Sequence, residues 1–374
     1  MTTTRTSTAA LGITPSVTAR AASRVALHLD YLSSEEIASQ SPAWWQNVLG
    51  VVGFEKPPAI DGAQVPVTAS MTPSLGVNGN LCEVWRVSGE EVRMSNGAAK
   101  RSRVHYRFCE ELLFGSITIE ERSIEAEGPA GGGADGDSGA LIRATELAYQ
   151  EIFAVLQETE HRHLIRIWNY LPDINREAGG DERYRLFNSA RQLAFRNSGQ
   201  AIVGTVPAAC ALGSPAGSPI SIYFLAARQQ PKMIENPRQT SAYHYPPKFG
   251  RHSPIFSRAC VLRESAGTNL FVSGTASIVG YETIHQGDVG AQTRETMANI
   301  IALLNEANRV VESAQYSLDG LKFKVYVRQP SDLRAIEEAL SGSLRPSAPI
   351  VYLQADVCRE DLLVEIEATG ESGS

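Results

Sequence analysis

Apolar residues keep helical spacing in two stretches. Ala148, Ile152, Val155 and Leu156 fall at i, i+4, i+7 and i+8, and Met297, Ile300, Ile301 and Leu304 fall at i, i+3, i+4 and i+7. Each set draws one stripe along a helix, which predicts helices near 144–157 and 293–308. The same order of elements follows each helix. After the first, LIRIWNYLPDIN reads as a strand that stops at Pro172, ERYRLFNSARQLAF as a helix, and VPAACALG and PISIYFLAAR as two closing strands. After the second, LKFKVYVRQPSDL stops at Pro330, SDLRAIEEAL is a short helix with Ser331 as N-cap, and PIVYLQADV and LLVEIEA close the unit.

Two further strands precede the second helix, FSRACVLRE and TNLFVSGTASIVG, and complete a β-β-α-β-α-β-β unit. LCEVWRVSG and VHYRFCEELLFGSITIEER offer the same completion to the first. The chain therefore reads as an internal duplication of α+β class, two tandem sheets each with helices packed on one face. The expected boundaries are a disordered tail over 1–24, a first unit over 25–230 and a second over 231–374. A glycine-rich acidic insertion interrupts the first unit at 125–140. Within the first 80 residues only a helix around 42–48 is expected.

Composition narrows the function classes. Of 374 residues, 43% are hydrophobic, enough for a sizeable core. The net charge of -7 argues against nucleic acid or an anionic membrane as the main partner, and no apolar run approaches the ~20 residues that span a bilayer. Five cysteines, Cys82, Cys109, Cys210, Cys260 and Cys358, stand too far apart for a CxxC pair. That spacing suits small buried thiols in a reducing cytoplasm, without disulfides or structural zinc. His161 and His163 lack a carboxylate at ligand spacing and read as solvated, not metal-binding. No P-loop, dinucleotide fingerprint or Ser-His-Asp elbow is present.

Candidate chemistry emerges when the closing strands of the two copies are aligned. Glu365 falls opposite Tyr223 and Glu367 opposite Leu225, so the second copy has gained two carboxylates. Strand periodicity puts both on one face, with Val364 and Ile366 on the other. Buried there, a carboxyl would have a raised pKa and could serve as a general acid near neutral pH. The pattern alone leaves open a surface strand with solvated carboxylates. SAYHYPPKFGRHSPIFSRA, residues 241–259, concentrates Tyr243, Lys248, Arg251 and Arg258 in a proline-set loop suited to a carboxylate ligand, or to a charged surface. In SGTAS, Gly274 permits close backbone approach and Thr275 can donate a hydroxyl, or the segment is an ordinary bulge.

IENPRQTSAYHYPPKFGRHSPIFSRA, LFVSGTASIVGYETIHQGDVGAQTRETMANI and ADVCREDLLVEIEA together resemble the chorismatase family, as do HLIRIWNYLPDIN and ERYRLFNSARQLAFRNSGQ. The resemblance runs from about Leu81 to Ala368. It implies tandem RidA-like units, the C-terminal one resembling RidA-type imine deaminases. The arginine that holds substrate in those deaminases is missing around Pro346, Ser347 and Ala348, which counts against deamination. The resemblance makes Glu365 the catalytic acid, with Glu367 as the alternative. It makes Arg258 and Arg185 the carboxylate-binding arginines, with Arg183 and Arg191 close by, and Tyr243 a substrate contact. It further implies chorismate as substrate, pyruvate release and no cofactor. The internal duplication, which can replace two subunits of a trimeric ancestor, leads to the expectation of a monomer. Cys358 resembles the residue of the benzoate-forming branches, which favours 3-hydroxybenzoate, with some 4-hydroxybenzoate, over a hydrolysis product. A non-catalytic RidA-like ligand-binding protein is the reading from another class.

Overall fold

The computed structural model describes residues 25–60, 65–76, 81–89, 94–97, 103–126, 136–312 and 315–373. The expected tail over 1–24 and most of the glycine-rich insertion lie outside them.

The chain opens with β1 (Ala26–Ser33), α1 (Ser34–Ala38), α2 (Pro42–Gln46), β2 (Val48–Gly53), β3 (Val67–Ala69), β4 (Ser74–Leu75) and β5 (Leu81–Ser88). The first copy follows as β6 (Ser95–Gly97), β7 (His105–Phe108), β8 (Leu112–Ile119), α3 (Glu121–Ala126), α4 (Gly136–Glu158), β9 (His163–Pro172), a ribbon of β10 (Glu177–Ala178) and β11 (Asp181–Glu182), α5 (Arg183–Asn197), β12 (Ala208–Ser214) and β13 (Ile220–Ala227). The second holds β14 (Lys232–Ile234), β15 (Ala259–Arg263), β16 (Gly267–Thr275), a ribbon of β17 (Ile278–Val279) and β18 (Glu282–Thr283), α6 (Val289–Val310), β19 (Leu321–Val327), α7 (Leu333–Ser341), β20 (Ile350–Gln354) and β21 (Val364–Gly373).

The order β-β-α-β-α-β-β thus occurs twice, and the pairing repeats with it. The first sheet runs β12-β9-β13-β8-β7-β6, and the second runs β14-β15-β16-β21-β19-β20-β4. In both, the strand after the long helix pairs in parallel with the one after the next helix and antiparallel with the closing strand. Tyr223 pairs with Trp168 and Leu225 with Arg166; Glu365 pairs with Tyr326 and Glu367 with Lys324. The alignment of the copies drawn from sequence is therefore also their structural register.

Each sheet buries one face under its own helices. Tyr149, Phe153 and Phe195 of α4 and α5 cover Ile167 and Phe224, while Met297, Ile300 and Leu304 of α6 cover Val364 and Ile366. The opposite faces meet each other across a shared core of Trp168, Tyr223, Phe271 and Tyr326. Strand alternation sends Glu365 and Glu367 to this inner side. A third sheet, β1-β5-β2-β3, closes the core with Leu27, Leu29 and Trp85.

Three local expectations are corrected. LCEVWRVSG forms β5 of the third sheet, because a strand pattern does not name its partner sheet. Ser331 is not the N-cap of α7: Pro330 starts a 3-10 turn and Asp332 takes the cap position. His161 is buried, not solvated, and its Nε2 meets the Cys109 carbonyl at 3.0 Å. Burial lowers its pKa, so the ring stays neutral. Among the described residues no helix is long and apolar enough to cross a membrane.

Candidate active site

A cavity of about 620 Å³ opens where the two copies meet. Its first wall comes from α5 and β12, and its second from the loop 245–258, the end of β16 and the segment 358–365. Glu365 lies at its base, 4% exposed, one residue inside the start of β21. Its carboxyl fits because residue 274 is a glycine: a Cβ there would stand 1.9 Å from Glu365 Oε1.

The two carboxylates of β21 differ sharply in surroundings. Glu367 accepts from Lys324 at 2.6 Å, from Trp168 Nε1 at 2.8 Å and from Arg166. Burial opposes its ionisation, but Lys324 and Arg166 outweigh burial and hold it below the usual carboxylate range. Glu365 has no ion pair among the described residues. Burial and the neighbouring Glu367 charge push its carboxyl up to about 8, against the pull of Arg166, Arg258 and Arg328. It is a neutral acid at pH 7.

Cationic groups face it across the cavity. Arg258, 3% exposed, lies over the rings of Tyr245 and Phe256 and donates from one nitrogen to the Thr240 carbonyl and the Tyr245 hydroxyl, both at 2.7 Å. Its buried Nε has no partner. Arg191, 2% exposed, lies over Phe187, reaches Asn188 Oδ1 at 3.3 Å and likewise leaves Nε unpartnered. Buried guanidinium edges with unspent donors suit bidentate capture of a carboxylate. Arg359 stands over Phe249 at 4.0 Å on the same wall.

The family model described as Chorismatase FkbO/Hyg5-like, N-terminal, matches residues 83–226. A chorismatase of Streptomyces hygroscopicus is 34% identical over 347 residues, covering 90% of this chain and 93% of that protein. The chain belongs to the chorismatase family. A 3-hydroxybenzoate synthase of the same organism is 42% identical over 239 residues, 62% of this chain and 70% of its own. A chorismatase crystal structure matches with a TM-score of 0.77 at 28% identity, over 94% of this chain and 100% of that one.

Of the residues singled out for this chorismatase-family chain by sequence, Glu365, Cys358, Arg258, Arg185 and Gly274 all line the cavity. Tyr243 and Thr275 are not part of its lining. The 3-10 turn Ala242–His244 rotates Tyr243 away, toward Glu235 at 3.5 Å, and Tyr245 takes the cavity side instead. Thr275 alternates with Gly274 along β16 and donates to the Ser273 carbonyl at 2.8 Å. Arg185 is 40% exposed and leans on Asp181 and Glu182. Arg183 points away to the Pro172 carbonyl, Asp137 and Glu121. Sequence reasoning named Arg191 only as a neighbour of Arg185, although it shares the stripe of Phe187, Ala190, Ala194 and Phe195. An arginine in phase with a buried stripe was the available signal. Cys210 of β12 also lines the cavity and had no signal beyond its residue type.

Proposed function

We propose that the chain cleaves chorismate, releasing pyruvate and leaving 3-hydroxybenzoate, with Glu365 as the general acid. The observation that carries this reading is a buried carboxyl without an ion pair, facing arginines whose donors are unspent. Chorismate is a dianion with an enol ether. Arg258 and Arg191, with Arg185 nearer the mouth, would each hold a carboxylate and fix the ether over Glu365. Glu365 gives its proton to the terminal methylene carbon, which leaves an oxocarbenium ion. The neighbouring ring hydroxyl attacks the ring carbon that bears the ether, the original ring C–O bond breaks and pyruvate leaves with the ether oxygen. The epoxide so formed takes back the hydroxyl proton and opens at its other carbon, which leaves the oxygen where the ether stood. The proton shed as the ring aromatises restores the acid, so no water is consumed.

Attack by water instead would give a dihydroxycyclohexadiene carboxylate. Cys358 stands beside this choice. Burial and the Glu365 charge push its thiol up to about 12, so it acts as a neutral wall of the cavity and not as a nucleophile. A filled wall leaves less room for a water next to the cation. The chain is proposed to act as a monomer, since the inner faces of both sheets are covered within it.

The test is a product assay with chorismate, reading pyruvate and the ring product, on wild type, Glu365→Gln and Cys358→Ala. Glu365→Gln is expected to lose about 10²–10⁴-fold in kcat while still binding chorismate. Cys358→Ala is expected to divert product toward the dihydroxycyclohexadiene carboxylate. Undiminished turnover by Glu365→Gln would refute the acid role.

A further inference from the structure

Behind Glu365, on the inner side of the sheets, four charged side chains close on one another. Glu367 is held by Lys324 and Arg166, as described. Lys324 also reaches Glu83 of β5 at 2.7 Å. Glu83 in turn accepts from Trp85 Nε1 at 2.5 Å and from the Tyr223 hydroxyl at 3.1 Å. All four are buried. Arg166 and Lys324 hold equivalent places in the two copies: Arg166 pairs with Leu225, and Lys324 with Glu367. The duplication thus brings one cation from each copy onto the inner side, and both close on the same carboxylate.

The count of charges is even. Two anions, Glu83 and Glu367, meet two cations, Lys324 and Arg166, and buried ions are tolerated when matched in this way. A carboxylate at Glu365 would be a third anion. Among the described residues, none of the cations around it forms an ion pair with it, although Arg166 Nη1 and Arg258 Nε are buried without a partner. Arg328 is committed to Asp356 at 2.8 Å and to the carbonyls of Leu362, Val357 and Arg359. One nitrogen of Arg258 is taken by Thr240 and Tyr245, and the residue lines the substrate cavity. Tyr326, across the strand, is bonded to Tyr170, and Cys210 and Cys358 are thiols that burial keeps neutral.

We propose that Glu83 and Glu367 are positioning residues for the reaction: together they occupy Lys324 and Arg166 and leave Glu365 without a counter-ion. The consequence is that Glu365 holds its proton until the enol ether takes it, and the adjacent Glu367 charge keeps a competing base from drawing it off. The inference rests on Glu365 being the acid. It assigns to the third sheet, through Glu83 outside the cavity, a part in chemistry carried out by the second copy.

The experiment is the pH dependence of kcat/KM for chorismate in wild type, Glu83→Gln and Glu367→Gln. Glutamine keeps the shape and an acceptor but removes one negative charge, so a cation becomes available to Glu365. The alkaline limb of activity is expected to move down by about one pH unit or more in each variant, about a tenfold loss per unit above the limb. KM below the limb should stay within about twofold of wild type. A purely structural role would lower thermal stability and leave the limb in place. A folded Glu83→Gln protein, by circular dichroism, with an unmoved limb overturns the proposal. If that variant does not fold, the limb of Glu367→Gln decides in the same way. Glu365→Gln separates the two ideas. If it keeps turnover, the acid assignment falls; if it is inactive while the Glu83→Gln limb stands still, only the counter-ion inference falls.

Discussion

Gly274 carries a constraint that only a missing side chain can meet. The Glu365 carboxyl occupies the space into which a Cβ at residue 274 would project, at 1.9 Å. Gly274→Ala must displace the carboxyl or bend β16, and misplacement of a reacting group by about 1 Å costs on the order of a hundredfold in rate. We expect kcat to fall by about that factor with chorismate binding kept, measured by pyruvate release and by ligand titration; wild-type kcat in Gly274→Ala would show that the contact is not critical. Activity should also decline as pH rises through about 8, because the acid works only while protonated. At this scale the sequence spoke clearly about Glu365 and Glu367 as a pair on one face. It could not separate them, because the difference lies in Lys324, Arg166 and Trp168, residues distant in the chain that bond Glu367.

Helix α5 shows what an element adds to a residue. Arg185 and Arg191 both line the cavity, but the phase of the helix buries Arg191 with Phe187, Ala190 and Ala194 and leaves Arg185 at the rim. A buried charged hydrogen bond is worth about 1.5–3 kcal/mol, whereas a rim charge paired with Asp181 and Glu182 is worth little. Arg191→Met should therefore raise KM for chorismate by about 10- to 100-fold, and Arg185→Met by less than about threefold, in steady-state kinetics. The reverse ranking would make Arg185 the principal carboxylate partner. The long helices and the strands that end at Pro172 or ahead of Pro330 were legible because periodicity and proline are local signals. Tyr243 was misplaced because a single 3-10 turn changes which of two nearby tyrosines faces inward.

The whole molecule depends on the third sheet docking against the second. At that seam Glu264 accepts from the Leu27 amide at 3.0 Å, and His28 contacts Glu371 at 2.9 Å. Burial pushes Glu264 up to about 7, so the folded state holds a proton that an unfolded chain releases near the ordinary glutamate value. Stability from this group is fully present below that ordinary value and is lost as pH rises through about 7. His28, raised by its hydrogen bond to Glu371, acts in the same direction, its contribution fading as pH rises. Glu264→Gln removes the first of these two contributions. The fall in Tm between about pH 5.5 and about pH 8 should be smaller in this variant than in wild type by a few degrees, measured by thermal melts at both values. Equal falls would show that Glu264 is not the group responsible.

What the sequence determined by itself was the repeated order of helices and strands, the apolar faces that cover each sheet, and the presence of acid, arginine and glycine motifs resembling one family. These rest on period, proline and residue type, all of which act locally along the chain. What the tertiary structure alone decided was which sheet LCEVWRVSG joins, which buried arginine of α5 lines the cavity, and which carboxyl of β21 stays neutral. Those outcomes depend on the dielectric and the counter-ions around each group, and both are supplied by residues far away in sequence that come together only when three sheets close on one core.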